Sequence, residues 1–228
     1  MIMEQAHENK MTRDETLKVA LMVGKILLKS GAETYRVEDT INRFCIANGY
    51  EVDIFVTPTV IILGNEQVDS FNCVSRIRYR TTNLGMISEM NDMSYKFERW
   101  PMSYRGTMAW LEEKLKAQVP YGKWKVCLAS AIASASFSAM LGGNSHDFIA
   151  AFITGGIAML VLKQIAGYRP SAFWENALAG VAIGVVALIC CAVSVQCTME
   201  KIIVGALMPF VPGVAFTNGL RDYMAGEV

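Results

Sequence analysis

Chemistry in this 228-residue chain concentrates where an apolar stretch breaks. The run from Ile202 to Phe216 contains Pro209, Pro212 and Gly213, and Thr217, Asn218, Arg221 and Asp222 follow it directly. A helix interrupted in this way gives up backbone hydrogen bonds, and in a bilayer it persists where protein buries it or where it lines a cavity. The chemistry it offers is non-covalent, with freed carbonyls, helix ends and a few side chains placed to bind a polar solute. Two further polar residues, Asn144 and Asp147, stand between two other apolar stretches. Charge beside a bilayer is expensive unless it is solvated or paired. For Asp147, Glu175, Arg221 or Asp222 taken singly, the plain reading is a helix end at the interface; the grouping with Pro209, Pro212 and Gly213 favours a solute path.

Other chemistries are poorly provided for. The chain has two histidines and six cysteines with no C-x-x-C pair, so no metal site is expected and the thiols read as buried or lipid-facing. No Ser-His-Asp set and no phosphate-binding loop occurs, so neither catalysis nor a cofactor is expected. A membrane-anchored hydrolase would have to rely on Glu33, Glu38 or Thr57 in a pocket.

The elements that must position these residues fall into two halves. Residues 1–123 carry sixteen of the twenty-one Lys and Arg and sixteen of the twenty-one Asp and Glu; the remaining 105 positions carry five of each. In the charged half, Thr12-x-x-Glu15 is a capping box that opens a helix with Leu17, Ala20, Leu21, Gly24, Leu27 and Leu28 on one face. A second amphipathic helix runs from Thr34 to Asn48. The period then becomes two along Tyr50, Val52, Ile54 and Val56, with Thr57-Pro58-Thr59 interrupting before Val60–Leu63. A third strand, Phe71 to Arg80, places Arg76, Arg78 and Arg80 in a basic row, the basis of an alternative reading as a membrane-tethered sensor or scaffold that binds an anion. Two more helices, Leu84 to Glu98 and Thr107 to Gln118, complete an αα-βββ-αα order, expected of an α+β domain with an antiparallel sheet.

The second half reads as about four spans, Trp124–Leu141, Phe148–Ile165, Ala177–Val195 and Ile202–Phe216, the last short and broken. Small residues crowd them, among them Ala129, Ser130, Ala133, Ser134, Ser138, Gly155, Gly156, Gly180 and Gly184, and all are read as helix-packing positions. Lys114, Lys116, Lys123 and Lys125 flank the start of the first span, Lys163 and Arg169 sit around the junction of the second and third, and Arg221 follows the fourth. The positive-inside rule therefore puts both ends in the cytoplasm, in keeping with a polar N-terminus that carries no secretory signal. The expected architecture is an α+β cytoplasmic N-terminal domain followed by an α-helical polytopic membrane domain. Its divisions are a disordered lead at 1–11, the domain at 12–118, a linker at 119–123 and the transmembrane part at 124–228.

Several of these stretches resemble the N-terminal unit of the threonine/serine exporter family: Gly31-Ala-Glu-Thr-Tyr-Arg-Val-Glu38, the strand ending Val56-Thr-Pro-Thr59, Asn83-Leu84, Leu141-Gly-Gly143 with Asp147, and Pro209-Phe-Val-Pro-Gly213 running to Thr217-Asn218 and Arg221-Asp222. The likeness extends from about Thr12 to Gly226 in the expected order. It implies a multi-pass exporter of small hydrophilic metabolites in the cytoplasmic membrane, driven by the proton gradient, with threonine and serine as type substrates and succinate exported by some relatives. Relatives continue past the Arg-Asp pair into a further apolar helix, whereas this chain stops at Val228, so either the chain is truncated or the unit is shorter here. The family's second unit is missing too, so the resemblance implies a second small membrane subunit as partner, beside the bilayer and a small polar substrate; a homo-oligomer is left open and no nucleic acid is involved. On the matched positions, Asn144, Asp147, Pro209, Pro212, Gly213, Thr217, Asn218, Arg221 and Asp222 would form the substrate path. Asp147 or Asp222 would carry the proton and Arg221 would attract a carboxylate. Glu33, Thr34, Arg36, Glu38, Thr57 and Pro58 would form a cytoplasmic entrance or regulatory surface.

Overall fold

The structure, a computed structural model, describes residues 11–64, 73–77, 79–100, 102–116, 121–165 and 172–226. The chain forms two compact units, Met1–Val119 with Gly213–Val228, and Pro120–Pro212. The last helix thus packs with the N-terminal unit rather than with the helices before it.

In the first unit, α1 (Arg13–Lys29) starts on the capping box read in the sequence: Thr12 accepts from the Glu15 amide, and Glu15 accepts from the Thr12 amide. The unit continues with α2 (Thr34–Ala47), β1 (Asp53–Val56), β2 (Val60–Gly64), β3 (Cys73–Arg76), α3 (Leu84–Arg99) and α4 (Tyr104–Lys116), and resumes with α9 (Gly213–Ala225). The sheet is antiparallel in the order β1-β2-β3, with Phe55 opposite Ile62 and Ile62 opposite Val74. Its inner face gives Val56, Ile61 and Leu63 to a core shared with Leu27, Leu28, Val37, Ile41, Phe44, Met90 and Phe97. These are large apolar side chains, and their removal from water is what holds the unit together.

Two strand expectations change. β1 begins at Asp53 and not at Tyr50, because the Tyr50 amide donates to the Cys45 carbonyl at 3.0 Å and closes the end of α2. β3 ends at Arg76, and the chain leaves the sheet to finish α1. The Thr81 amide donates to Lys29, the Asn83 amide to Ser30, and the Arg80 guanidinium to the carbonyls of Leu28 and Ala32 at 3.2 and 2.9 Å. Arg80 is therefore committed to helix capping and is no part of a basic row; Arg78 lies outside the described residues, as does the expected disordered lead except for Met11, which is buried.

The second unit contains α5 (Lys123–Met140), α6 (Ser145–Ile165), α7 (Ala172–Val193), α8 (Met199–Leu207) and a 3-10 turn at Met208–Phe210. Its interior is rich in small residues, with Ala131, Ala135, Ala150, Ala151, Ala158 and Ala187 buried beside Ile183 and Ile202, while Leu128, Ile132, Phe148, Ile149, Val185 and Leu188 stay exposed. This is the distribution of a helix bundle whose solvent is lipid, where close backbone approach replaces hydrophobic burial. Helices α6 and α7 are long and apolar enough to cross a membrane, and a third span results if the interrupted pair Met199–Phe210 and Gly213–Met224 counts as one. Of the four expected spans, the first corresponds to the 18-residue α5, whose serines and two lysines lower its apolarity. The fourth is divided at Val211-Pro212.

Gly31 is the turn on which α1 and α2 depend. Its φ is +85°, and a Cβ there would stand 2.8 Å from the Thr81 carbonyl oxygen. Gly31→Ala is expected to lower the stability of the detergent-solubilised chain by about 2 kcal/mol or more, since it adds a backbone overlap to left-handed strain worth about 1–2 kcal/mol. Gly226→Ala, at φ +76° in open space, is expected to cost the strain alone. Thermal unfolding of the two variants side by side checks the difference.

Candidate functional site

Two polar clusters gather several of the residues singled out in the sequence, one in each unit. In the first unit, Asn218, Arg221 and Asp222 recur at the three- and four-residue spacing that puts them on one face of α9. That face lies on the turn between α1 and α2. Asn218 Nδ2 donates to the Gly31 carbonyl at 2.9 Å, Arg221 pairs with Glu33, and the Thr34 hydroxyl donates to Asp222 Oδ1 at 2.9 Å. Thr34 and Asp222 are buried. Asp222 thus meets the first residue of α2, where orphan amides and the helix dipole favour a negative charge.

The electrostatics of this cluster extend to two neighbours. The Tyr35 phenol is held above its ordinary pKa, first by its hydrogen bond with Glu33 and then by desolvation. Desolvation pulls the Arg80 guanidinium below its usual value, with the charge of Asp222 acting in the opposite sense. Glu33 therefore serves both Arg221 and Tyr35, and Asp222 lies within electrostatic reach of a second arginine.

The remaining residues expected at the same surface lie elsewhere. Arg36 is exposed. Glu38 Oε1 accepts from the Val56 amide at 2.9 Å, at the end of β1. Thr57 and Pro58 make the hairpin turn, in which the Thr57 amide donates to the Val60 carbonyl at 2.8 Å and the Thr57 hydroxyl accepts from the Val60 amide at 3.0 Å. On α9 itself the Thr217 hydroxyl returns to the Gly213 carbonyl at 2.9 Å and is exposed.

The second cluster is built on Asp147. Asn144 precedes α6, and its Oδ1 accepts from the Asp147 amide at 2.9 Å while Asp147 Oδ2 accepts from the Asn144 amide at 3.0 Å, a reciprocal cap. The other oxygen, Oδ1, accepts from the amide of Thr198, the N-cap residue of α8. Two more bonds join the same turns: Asn144 Nδ2 donates to the Gln196 carbonyl at 2.8 Å, and Lys201 Nζ donates to the Gly142 carbonyl at 2.7 Å. Asp147 is fully buried, so one carboxylate ties the start of α6 to the start of α8. At the other end of α8, Pro209 sits in the 3-10 turn, and exposed Pro212 leads to Gly213 at the head of α9.

Thr198 and Lys201 were not singled out in the sequence. The only signal for them is their place just after a span that ends opposite Asp147. Arg80 was read as sheet surface because its alternation continued past the true strand end. Among the described residues, no group of three or more His, Cys, Asp or Glu side chains is placed to hold a metal ion. The first cluster supplies an ion pair and both supply hydrogen bonds, groups suited to binding and releasing a polar solute.

The buried and exposed halves of the first cluster differ in worth. Thr34→Val leaves a buried carboxylate without this donor and is expected to cost about 1–3 kcal/mol. Glu33→Gln removes a partly solvated pair and is expected to cost about 0–1 kcal/mol. Thermal denaturation of the purified variants gives the order, and equal losses would count against a buried role for Asp222.

Residues 18–228 match the model of ThrE, the threonine/serine exporter family. The chain belongs to that family, one of membrane exporters of threonine and serine. Comparison with curated proteins and with solved structures gives no match.

Proposed function

We propose that this chain is one subunit of a two-component exporter in the cytoplasmic membrane, driven by the proton gradient, that moves threonine and serine, or a dicarboxylate such as succinate, out of the cell. The observation that carries the reading is family membership over nearly the whole chain. In this reading the first unit's domain lies in the cytoplasm, as the distribution of Lys and Arg suggests, and the missing half of the transport site is supplied by a second small membrane subunit.

In the same reading the residues of the two clusters have distinct parts. Helix α8 is a half-helix of nine residues that begins on the Asp147 carboxylate and ends in a proline-containing turn. Its freed carbonyls and ends are the groups that face the solute. Protonation of Asp147 from the outer side removes the negative charge that holds the Thr198 amide and frees the start of α8. Among the titratable groups near it, the Lys201 ammonium and the Cys191 thiol interact with it electrostatically, and His146, Cys190, Cys197 and Glu200 lie on the same turns and helix ends. In the first unit, Arg221 is 57% exposed, which supports a part in which it exchanges Glu33 for the carboxylate of an arriving solute. Asp222 is the alternative proton carrier, since a proton there competes with the Thr34 hydroxyl.

Efflux from cells that lack this chain and the second subunit tests the proposal. Restoring both is expected to restore export of threonine and serine, restoring either alone is not, and an uncoupler that collapses the proton gradient should stop it. Normal efflux in the doubly deficient cells would sink the reading. With both subunits present, Asp147→Asn is expected to lower efflux about ten- to hundredfold, the rate equivalent of losing a charge-assisted hydrogen bond worth about 1.5–3 kcal/mol.

A further inference from the structure

The helical unit carries a lateral groove of about 320 Å³ between α5 and α6. Its form follows from side-chain size. Cys127 and Ala131 of α5 and Gly156 of α6 make the floor, where the helices come so close that a Cβ added to Gly156 would lie 3.3 Å from the Ala131 Cβ. Trp124 and Leu128 stand on one side of that floor, and Ile153, Ile157 and Leu160 on the other. Cys127 and Ala131 are buried whereas Trp124, Leu128, Ile153 and Ile157 are exposed, so the groove opens on the surroundings of the unit. Helix α6 is long and apolar enough to cross a membrane, and the surroundings of its exposed face are then the acyl chains of a bilayer.

The groove ends at three cations. Lys123 stands one turn before Cys127, Lys125 three residues before Leu128, and Lys163 three residues after Leu160, spacings that continue both sides of the groove past its end. All three are exposed, and the ion pairs among the described residues involve none of them. Glu175, an acid in the first turn of α7, is on a helix that gives nothing to the lining. Trp124 is 77% exposed and lies between the two lysines of α5, and an indole beside snorkelling ammonium groups is the side-chain pattern of lipid headgroup level. From Trp124 to Ala131 the helix rises about 10 Å. That is less than one leaflet, half of a hydrocarbon core of roughly 30 Å, whereas a spanning helix packed here would call for a seam along the whole core.

We propose that this groove is a binding site for an anionic phospholipid, with one acyl chain lying between α5 and α6 and the phosphate met by Lys123, Lys125 and Lys163. The apolar lining takes the chain of any phospholipid, so the choice among lipids is made by charge at the groove's end. A zwitterionic lipid carries its own cation beside the phosphate and gains less from three lysines than a lipid with net negative charge. Anionic lipids are concentrated in the cytoplasmic leaflet, and the distribution of Lys and Arg reads this end of the unit as the cytoplasmic one. A chain seated in the groove covers the open side of the α5–α6 pair, and binding to the folded form raises its stability by mass action.

The test takes the full chain, purified in a neutral detergent, and titrates it with phosphatidylglycerol or with phosphatidylcholine of the same acyl chains while thermal unfolding is followed. Phosphatidylglycerol is expected to raise the unfolding temperature at concentrations about ten- to hundredfold lower than phosphatidylcholine, the gain that a few lysines at a lipid surface supply, and added salt should narrow the difference. Replacing the three lysines together, by Lys123→Gln, Lys125→Gln and Lys163→Gln, should bring the phosphatidylglycerol response down to that of phosphatidylcholine. Cys127→Phe, which fills the floor, should raise the concentration needed of both lipids. Should Cys127→Phe not fold, the lysine variant and the salt dependence decide. An equal response of the wild-type chain to the two lipids, or a preference for phosphatidylglycerol that survives in the lysine variant, overturns the site. A dimer formed without lipid, or a bound second subunit, that Cys127→Phe releases puts a protein helix in the groove and overturns it as well. The readout is lipid binding, so its failure leaves the export reading in place, and normal efflux from deficient cells leaves the lipid site in place.

Discussion

A carboxylate taken out of water has to be met by donors at fixed positions, and two such groups govern how this chain is held together. Asp222 is 2% exposed and Asp147 is not exposed at all. Each sits at the start of a helix other than its own, Asp222 against the first residue of α2 and Asp147 against the amide that caps α8. These are the places where a folded chain has amides to spare and a dipole of the right sign. The docking of α9 and the starting point of α8 meet this requirement, each giving a buried carboxylate a donor.

The two units satisfy different solvents. The first buries Phe44, Phe97, Leu27 and Ile41 around a small sheet, the ordinary response of a chain to water. The second turns Leu128, Ile132, Ile149 and Leu188 outward and keeps mainly alanine, serine and glycine within, beside Ile183 and Ile202, which brings backbones close and leaves polar seams inside. A polar group within such a bundle is conspicuous, because it competes with no other source of hydrogen bonds. The buried serines of α5, Ser130, Ser134 and Ser138, are groups of this kind, and they also make the helix less apolar and obscure it as a span.

Much of the candidate site was present in the sequence as pattern and missing as geometry. Asn218, Arg221 and Asp222 have one-face spacing, and Asn144-x-x-Asp147 has the spacing of a reciprocal cap, so both clusters could be found one partner at a time. What spacing could not show is that Glu33 and Thr34, 188 residues away in each pairing, are the partners of Arg221 and Asp222. Nor could it show that Glu38, Thr57 and Pro58 would part from them to finish a hairpin. Alternation carried the third strand too far, because nothing local distinguishes an arginine on a sheet face from one that turns back to cap a helix.

By itself the sequence determined the elements that depend on local chemistry: the capping box at Thr12, the helix ends at Asn48-Gly49, the turn at Thr57-Pro58, the break at Pro209 to Gly213 and the contrast between a charged half and an apolar one. These follow from hydrogen bonds and steric limits within a few residues. Only the tertiary structure decided that α9 returns to the N-terminal unit, that Arg80 belongs to α1 and that one carboxylate anchors α8. Those outcomes are set by which distant donors arrive at each buried acceptor, and sequence spacing carries no record of that.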